Sequence, residues 1–242
     1  MPRLALMIDL ERCTGCKSCE AACKSEHALG PTERHNRVVW LGSKLEENSD
    51  NNQALDFLAL ACQHCERPAC VRACPVSPKA ISKNKETGVV TVNEDACVGC
   101  GECVTACPYG AMGFDPDGRH AVKCDLCSDR RAEGAATTAC AAVCPTKAIT
   151  FGPRDELLKT TEANNREMIK NDPFLLGPAT IYLDRTTNKQ EKFDAADRNS
   201  PKVIDSFTNI SIDDTVFPYG HSREDREINR IESVGCNICF NI

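Results

Sequence analysis

The sequence has 242 residues, 41% of them hydrophobic, and a formal net charge of −6; it is long enough to bury a core, and its acidic balance without basic runs argues against nucleic acid as a partner. Its longest apolar stretches, residues 4–8 and 55–62, fall far short of the roughly 20 residues that span a bilayer. Met1-Pro2-Arg3 enters an apolar segment with no export signal, so the chain is expected in the cytoplasm by its own sequence, where its eighteen cysteines, sixteen of them clustered between Cys13 and Cys144, suit metal ligation better than disulfides.

In chain order, the first expected element is a strand over residues 3–9. It leads into a block of four cysteines, Cys13-x2-Cys16-x2-Cys19-x3-Cys23. A second strand is expected at 37–41, followed by the second block, Cys62-x2-Cys65-x4-Cys70-x3-Cys74. A strand at 88–92 precedes the third block, Cys97-x2-Cys100-x2-Cys103-x3-Cys107. The fourth block is Cys124-x2-Cys127-x12-Cys140-x3-Cys144, with a strand at 148–151 behind it. The spacers Val104-Thr105-Ala106 and Ala141-Ala142-Val143 read as starts of short helices. Pro75, Pro108 and Pro145 follow the last cysteine of their blocks and fix a turn there. Past Phe151, residues 154–170 have helical composition, 179–184 read as a strand and 186–202 as a polar loop.

The spacing carries the chemistry. Three cysteines at x2 intervals wrap one loop around an iron–sulfur cubane, each thiolate reaching a different iron, while the fourth sits on a helix that points away. In bacterial two-cluster ferredoxins that fourth cysteine, followed by proline, ligates the other cluster, so such blocks work in exchanging pairs. The x4 and x12 intervals of the second and fourth blocks are stretched turns that a surface loop absorbs. Zinc needs two cysteine pairs per ion and gains nothing from a third cysteine at x2, and disulfides suit a secreted chain.

The short link from Cys74 to Cys97 makes the second and third blocks one unit, leaving the first and fourth to pair with each other. The expected ligand sets are Cys13, Cys16, Cys19 and Cys144; Cys62, Cys65, Cys70 and Cys107; Cys97, Cys100, Cys103 and Cys74; and Cys124, Cys127, Cys140 and Cys23, for four 4Fe–4S clusters. The fold class is α+β, two duplicated ferredoxin-like units with loop insertions and an extended C-terminal tail. Residues 1–152 form the four-cluster domain, with 62–107 as one unit and 13–23 plus 124–144 as the other; 153–242 form an extension for docking a partner. No residue reads as catalytic.

Other residues near the blocks take lesser roles. His64 reads as structural or as a hydrogen-bond donor that tunes a cluster, since no ligand is missing. Lys123 and Arg130 either offset cluster charge or sit solvated at the surface, and Trp40 reads as core. Cys236 and Cys239 form one more C-x2-C pair, but four sets are complete without them; they are buried thiols, a site shared with a partner, or a redox dithiol.

The block order, the x4 and x12 expansions, and the phrases Ile8-Asp9-Leu10-Glu11-Arg12-Cys13-Thr14-Gly15-Cys16, Cys107-Pro108-Tyr109-Gly110-Ala111 and Lys123-Cys124-Asp125-Leu126-Cys127 resemble the four-cluster electron-transfer subunits of molybdopterin oxidoreductases. That family includes the dimethyl sulfoxide, polysulfide, tetrathionate and arsenate reductase complexes. The resemblance implies a large partner carrying molybdenum or tungsten on a pterin, often a membrane-anchored third subunit, and export to the periplasmic face alongside a signal-bearing partner. It departs after Cys74, where Pro75-Val76-Ser77-Pro78-Lys79 stands in place of the family's Pro-Thr-Gly-Ala. The competing reading is a free-standing polyferredoxin or a relay subunit of a hydrogenase, a tungsten aldehyde oxidoreductase or an aromatic-ring reductase.

Overall fold

The apolar run at the N-terminus forms β1, Leu4–Asp9, buried on both faces as a central strand must be. Alternation sorts its side chains: Leu6 and Ile8 enter one core, Ala5 and Met7 another. β1 lies in the middle of a three-stranded sheet, and the computed structural model to which it belongs describes residues 2–31, 33–43, 55–115, 117–169 and 172–184. The expected loop at 186–202 and the Cys236–Cys239 pair lie outside them.

Between β1 and its sheet partners the chain lays down the blocks. Helix α1, Ser18–Glu26, carries Cys19 and Cys23. Strands β2, Asn36–Ser43, and β3, Leu55–Ala61, pair antiparallel with an irregularity between Trp40 and Gly42. Helix α2, Ala69–Ala73, precedes an antiparallel pair, β4, Ile81–Lys83, and β5, Val90–Val92. Helix α3, Glu102–Ala106, precedes a second such pair, β6, Gly113–Asp115, and β7, His120–Val122. Helices α4, Ser128–Ala132, and α5, Ala139–Val143, follow, then β8, Ile149–Pro153, which pairs antiparallel with β1.

Helix α1 packs against α5, and α2 against α3. The sheet core joins Leu6, Ile8, Leu58, Leu126 and Ile149 to cysteines of the first, second and fourth blocks. A separate core joins Ile81, Val90, Met112 and Ala121 to Cys70 and Cys103. The mixed helix and strand content is that of an α+β fold.

Beyond β8 the chain turns back onto β1. Helix α6, Arg154–Ala163, has Asp155 and Glu156 in its first turn, where acidic groups favour a helix N-terminus. It stops short of the expected residue 170 because Asn165 takes a left-handed conformation, φ 50°. Arg166 then forks onto Asp9 with two hydrogen bonds of 2.9 and 2.8 Å. Strand β9, Ile181–Leu183, pairs parallel with β1. Ile181 and Leu183 enter the Ala5–Met7 core with Leu157 of α6, while Tyr182 enters the other, wholly buried. The described part of the C-terminal extension is therefore a wall of the same core.

Candidate metal centres

Each block turns through a left-handed residue just before its second cysteine: Gly15 at φ 70°, His64 at 42°, Gly99 at 70° and Leu126 at 61°. For His64 and Leu126 this backbone is unfavourable, by about 1–3 kcal/mol each, and persists because both side chains are locked inside. The turn has a chemical product. It aims the amide of His64 at Cys62 Sγ, 3.4 Å away, and that of Leu126 at Cys124 Sγ, 3.5 Å away.

The cysteines after α2, α3 and α5, namely Cys74, Cys107 and Cys144, are held by the turns that their prolines start. Ala148 donates to Cys144 Sγ at 3.2 Å, and the amides of Ile149 and Thr146 join it, so that this thiol falls below its ordinary pKa although burial works against it. The amides of Ala111, Tyr109 and Met112 face Cys107 in the same way, at two, four and five residues past the cysteine as in the fourth block. There burial wins and the thiol rises. Past Cys74 the donors are Val76, Ile81 and Ala80, so two extra residues at Ser77-Pro78 lengthen the turn without removing a donor; burial opposes, yet this thiol is lowered.

Two cavities open among these thiols. One is lined by Cys62, Cys65 and Cys70 of the second block and by Cys107 of the third. The other is lined by Cys13, Cys16 and Cys19 of the first block and by Cys144 of the fourth. Elsewhere Cys23 lies within electrostatic reach of Cys140 and Cys127, and Cys124 of Cys23 and Cys140. Cys103 lies close to Cys100, Cys70 and Cys97, and Cys74 caps the end of α2, which packs against α3.

Burial pushes the Cys19, Cys65, Cys70 and Cys103 thiols up to about 12, with neighbouring thiolates adding to it, and Cys127 up to about 11. Such groups are neutral thiols near pH 7 until a metal displaces the proton. Soft sulfur donors in sets of four, with backbone N–H groups aimed at the sulfurs, fit a 4Fe–4S cubane, whose cysteinates carry more negative charge than one cation neutralises. In each cavity, backbone amides already face sulfurs of the set: His64 N at Cys62 and the turn amides at Cys107 in one, the turn amides at Cys144 in the other.

Several residues of the site were missed or left open by spacing alone. Lys123 is buried and donates its ammonium to the carbonyls of Val90 and Cys124, tying β5 to the fourth block. Arg130 reaches Thr137 O at 3.2 Å and Glu26 at 3.1 Å, bridging the fourth block to α1. His64 Nδ1 accepts from Val90 N at 3.0 Å, which makes it a strut between the second block and β5. Thr138 lies 3.2 Å from Cys140 Sγ. The amide donors had one signal in the sequence, the proline after the fourth cysteine; Lys123 was singled out by its place beside Cys124, with its burial undecided, and Thr138 had no signal.

Two family models match the chain, a 4Fe–4S dicluster domain over residues 53–154 and a 4Fe–4S binding domain over residues 4–25. The B subunit of the anaerobic dimethyl sulfoxide reductase of Escherichia coli strain K12 is 42% identical over 156 residues, covering 63% of this chain and 74% of that one. The thiosulfate reductase electron transfer subunit of Salmonella typhi is 32% identical over 187 residues, 77% of this chain and 95% of its own. The B subunit of the polysulfide reductase of Wolinella succinogenes is 35% identical over 150 residues, 62% and 76% respectively.

Proposed function

This chain belongs to the family of 4Fe–4S electron-transfer subunits that includes the B subunits of the dimethyl sulfoxide and polysulfide reductases, and from that premise we propose that it holds four clusters as the relay of a larger oxidoreductase. Bound clusters of this kind supply one-electron exchange over a wide range of potential. The observation that supports the exchange of last cysteines is the pair of cavities, each lined by three cysteines of one block and the last cysteine of its partner block; the count of four follows from sixteen cysteines in four such sets. By the same exchange, Cys97, Cys100 and Cys103 work with Cys74, and Cys124, Cys127 and Cys140 with Cys23. On this reading the fold is two ferredoxin-like units whose ligands lie within residues 1–152, with their core closed by side chains from residues 153–184.

The residues also suggest an order along the relay. Cys124 of the fourth block lies within electrostatic reach of Cys62 of the second, so those two sites are neighbours. The packing of α1 on α5 and of α2 on α3 sets the first site beside the fourth and the third beside the second. Among the block cysteines only Cys16 and Cys100 are exposed. The first and third sites are therefore the ends of the line, where electrons enter and leave, and the protein around the inner two keeps water away.

The partner that this reading requires is a large subunit carrying molybdenum or tungsten on a pterin, with a membrane-anchored third subunit as the other contact. No helix among the described residues is long and apolar enough to cross a membrane. The chain stays in the cytoplasm or reaches the periplasmic face with a signal-bearing partner, and residues 153–242 supply docking surface. The test is stoichiometry: protein isolated without oxygen should hold about sixteen irons and sixteen sulfides per chain. Twelve irons or fewer after anaerobic reconstitution would remove the four-cluster count, and zinc in their place would remove the reading of the donors. Gentle affinity purification should bring down the large metal-bearing subunit; a lone chain would favour a free-standing polyferredoxin.

A further inference from the structure

One of the four exchanged cysteines lacks the support given to the others. Cys74, Cys107 and Cys144 each run into a proline turn whose amides face the sulfur. Cys23 instead continues into Lys24 within α1, where the amides are spent on the helix. Its thiol is raised by burial first and then by Cys140, Cys127, Asp125 and Cys19, every one of which disfavours negative charge on that sulfur. A cysteinate placed there has an unmet need for donors.

Two imidazoles stand at this spot. His27 lies one turn along from Cys23, so both project from the same face of α1, and its backbone amide donates to Cys23 O at 3.1 Å. His35 reaches in from the residue preceding β2, with the two ring centroids 4.7 Å apart. A ring nitrogen of each histidine and Cys23 Sγ all lie within 4.8 Å of one another. Both nitrogens of His35 are shut off from solvent and have no hydrogen-bond partner among the described residues. His27 Nε2 sits 3.7 Å from Asp125 Oδ1, which orients that ring, and Asp125 is itself fixed by the amides of Cys127 and Ser128 at 2.8 and 2.9 Å.

We propose that the His27–His35 pair is the hydrogen-bond donor set for the sulfur of Cys23, standing where the proline turns supply backbone amides to the other three, and that it raises the reduction potential of the cluster this cysteine ligates. The inference rests on the ligand assignment proposed above. An imidazole carries at least one N–H in either protonation state, so the enclosed ring of His35 has a proton to offer. An orphaned buried N–H is unfavourable, and a charged sulfur acceptor within a small side-chain movement relieves it. A donor to the ligand sulfur stabilises the more negative, reduced cluster over the oxidised one, and the potential rises. Both histidines are positioning residues in this scheme.

The test is an EPR-monitored potentiometric titration of the full chain, with its companion subunits, in wild type and in His35→Phe, His27→Phe and His35→Gln. Cys23→Ser first identifies which signal belongs to the cluster in question. In His35→Phe the reduced fraction of that cluster at a fixed potential should fall several-fold, a tenfold fall being about 59 mV for a one-electron couple. Iron content and the other midpoints should hold, and His35→Gln, which keeps an N–H, should recover most of the shift. An unmoved midpoint in both Phe variants, a shift in a different cluster, or loss of iron from His35→Phe would each overturn the proposal. One non-cluster metal ion per chain, lost with either histidine, would also overturn it, because these three residues would then hold an ion of their own. A Cys23→Ser variant that alters no cluster would instead bring down the ligand assignment, and this inference with it.

Discussion

Cys19, Cys65, Cys70 and Cys103 share a buried environment that keeps their thiols protonated, with burial and neighbouring thiolates pushing each up to about 12. Loading a cluster must therefore expel protons, and protons compete with iron for the same sulfurs. Below about pH 12 the free thiols are protonated and the ligands are not, so apparent affinity rises with pH and falls as acid is added. Iron retained at equilibrium against a fixed chelator should decline steadily as pH falls from about 8 to about 6, with proton uptake accompanying release. Retention that is flat across that range would mean the ligands are already thiolates in the empty protein. Cys16, Cys74 and Cys144, whose thiols hydrogen bonds lower, contribute less to this dependence than these four. None of this was legible from spacing, which nominates candidate ligand sulfurs but not what each sulfur needs; the need is set by burial and by backbone groups that only the folded turn assembles.

The loop of the third block shows how one element constrains another. Gly99 has φ 70°, and a Cβ there would lie 2.4 Å from the carbonyl oxygen of Arg119, in the turn that joins β6 to β7. Backbone on both sides leaves no flexible side chain to yield. Gly99→Ala should therefore push the ligand loop off its hairpin and cost about four irons, those of the Cys97, Cys100 and Cys103 site, while the remaining clusters keep their EPR signals. Full iron content in that variant would show that the loop and hairpin adjust together. The sequence announces this element well, since a C-x2-C-x2-C run with glycines inside it has few other readings. It announced the strands at 3–9, 37–41 and 148–151 too, because apolar alternation is strong there, and the structure places β1, β2 and β8 within a few residues. It gave no strand reading for β3, whose apolar run was weighed only against a membrane span, or for β4, β6 and β7, three residues each, which are too short to show a period. Helix α4 was hidden inside the x12 interval that read as loop.

At the scale of the whole molecule, the last cysteine block and the last packed residue do not coincide. The ligand blocks end near Gly152, but Leu157, Ile181, Tyr182 and Leu183 close the core around β1, and Tyr182 accepts from Gln63 at 3.1 Å while donating to Ala59 O at 3.3 Å. Gln63 adjoins Cys62, so this seam also braces the second block. Composition located the change of texture at residue 152, because cysteine density is a local property; it could not reveal that a strand some thirty residues on returns to the first one. Each of those four side chains contributes about 1.5–3 kcal/mol by burial, a total comparable to the ~5–15 kcal/mol stability of a whole domain. Truncation after Gly152 should therefore yield a fragment that fails to retain iron. Truncation after Asp184 leaves β9 and the Arg166 fork onto Asp9 in place. That fragment should hold iron at the level of the full chain, and so should Cys236→Ser with Cys239→Ser in the intact chain, since neither sulfur is needed to complete a set of four. If the tail docks the partner, the same fragment should also lose affinity for the large subunit in a pull-down at matched concentration. Undiminished capture would assign docking to the cysteine blocks themselves, and a loss of about four irons would make the last cysteine pair a ligand after all.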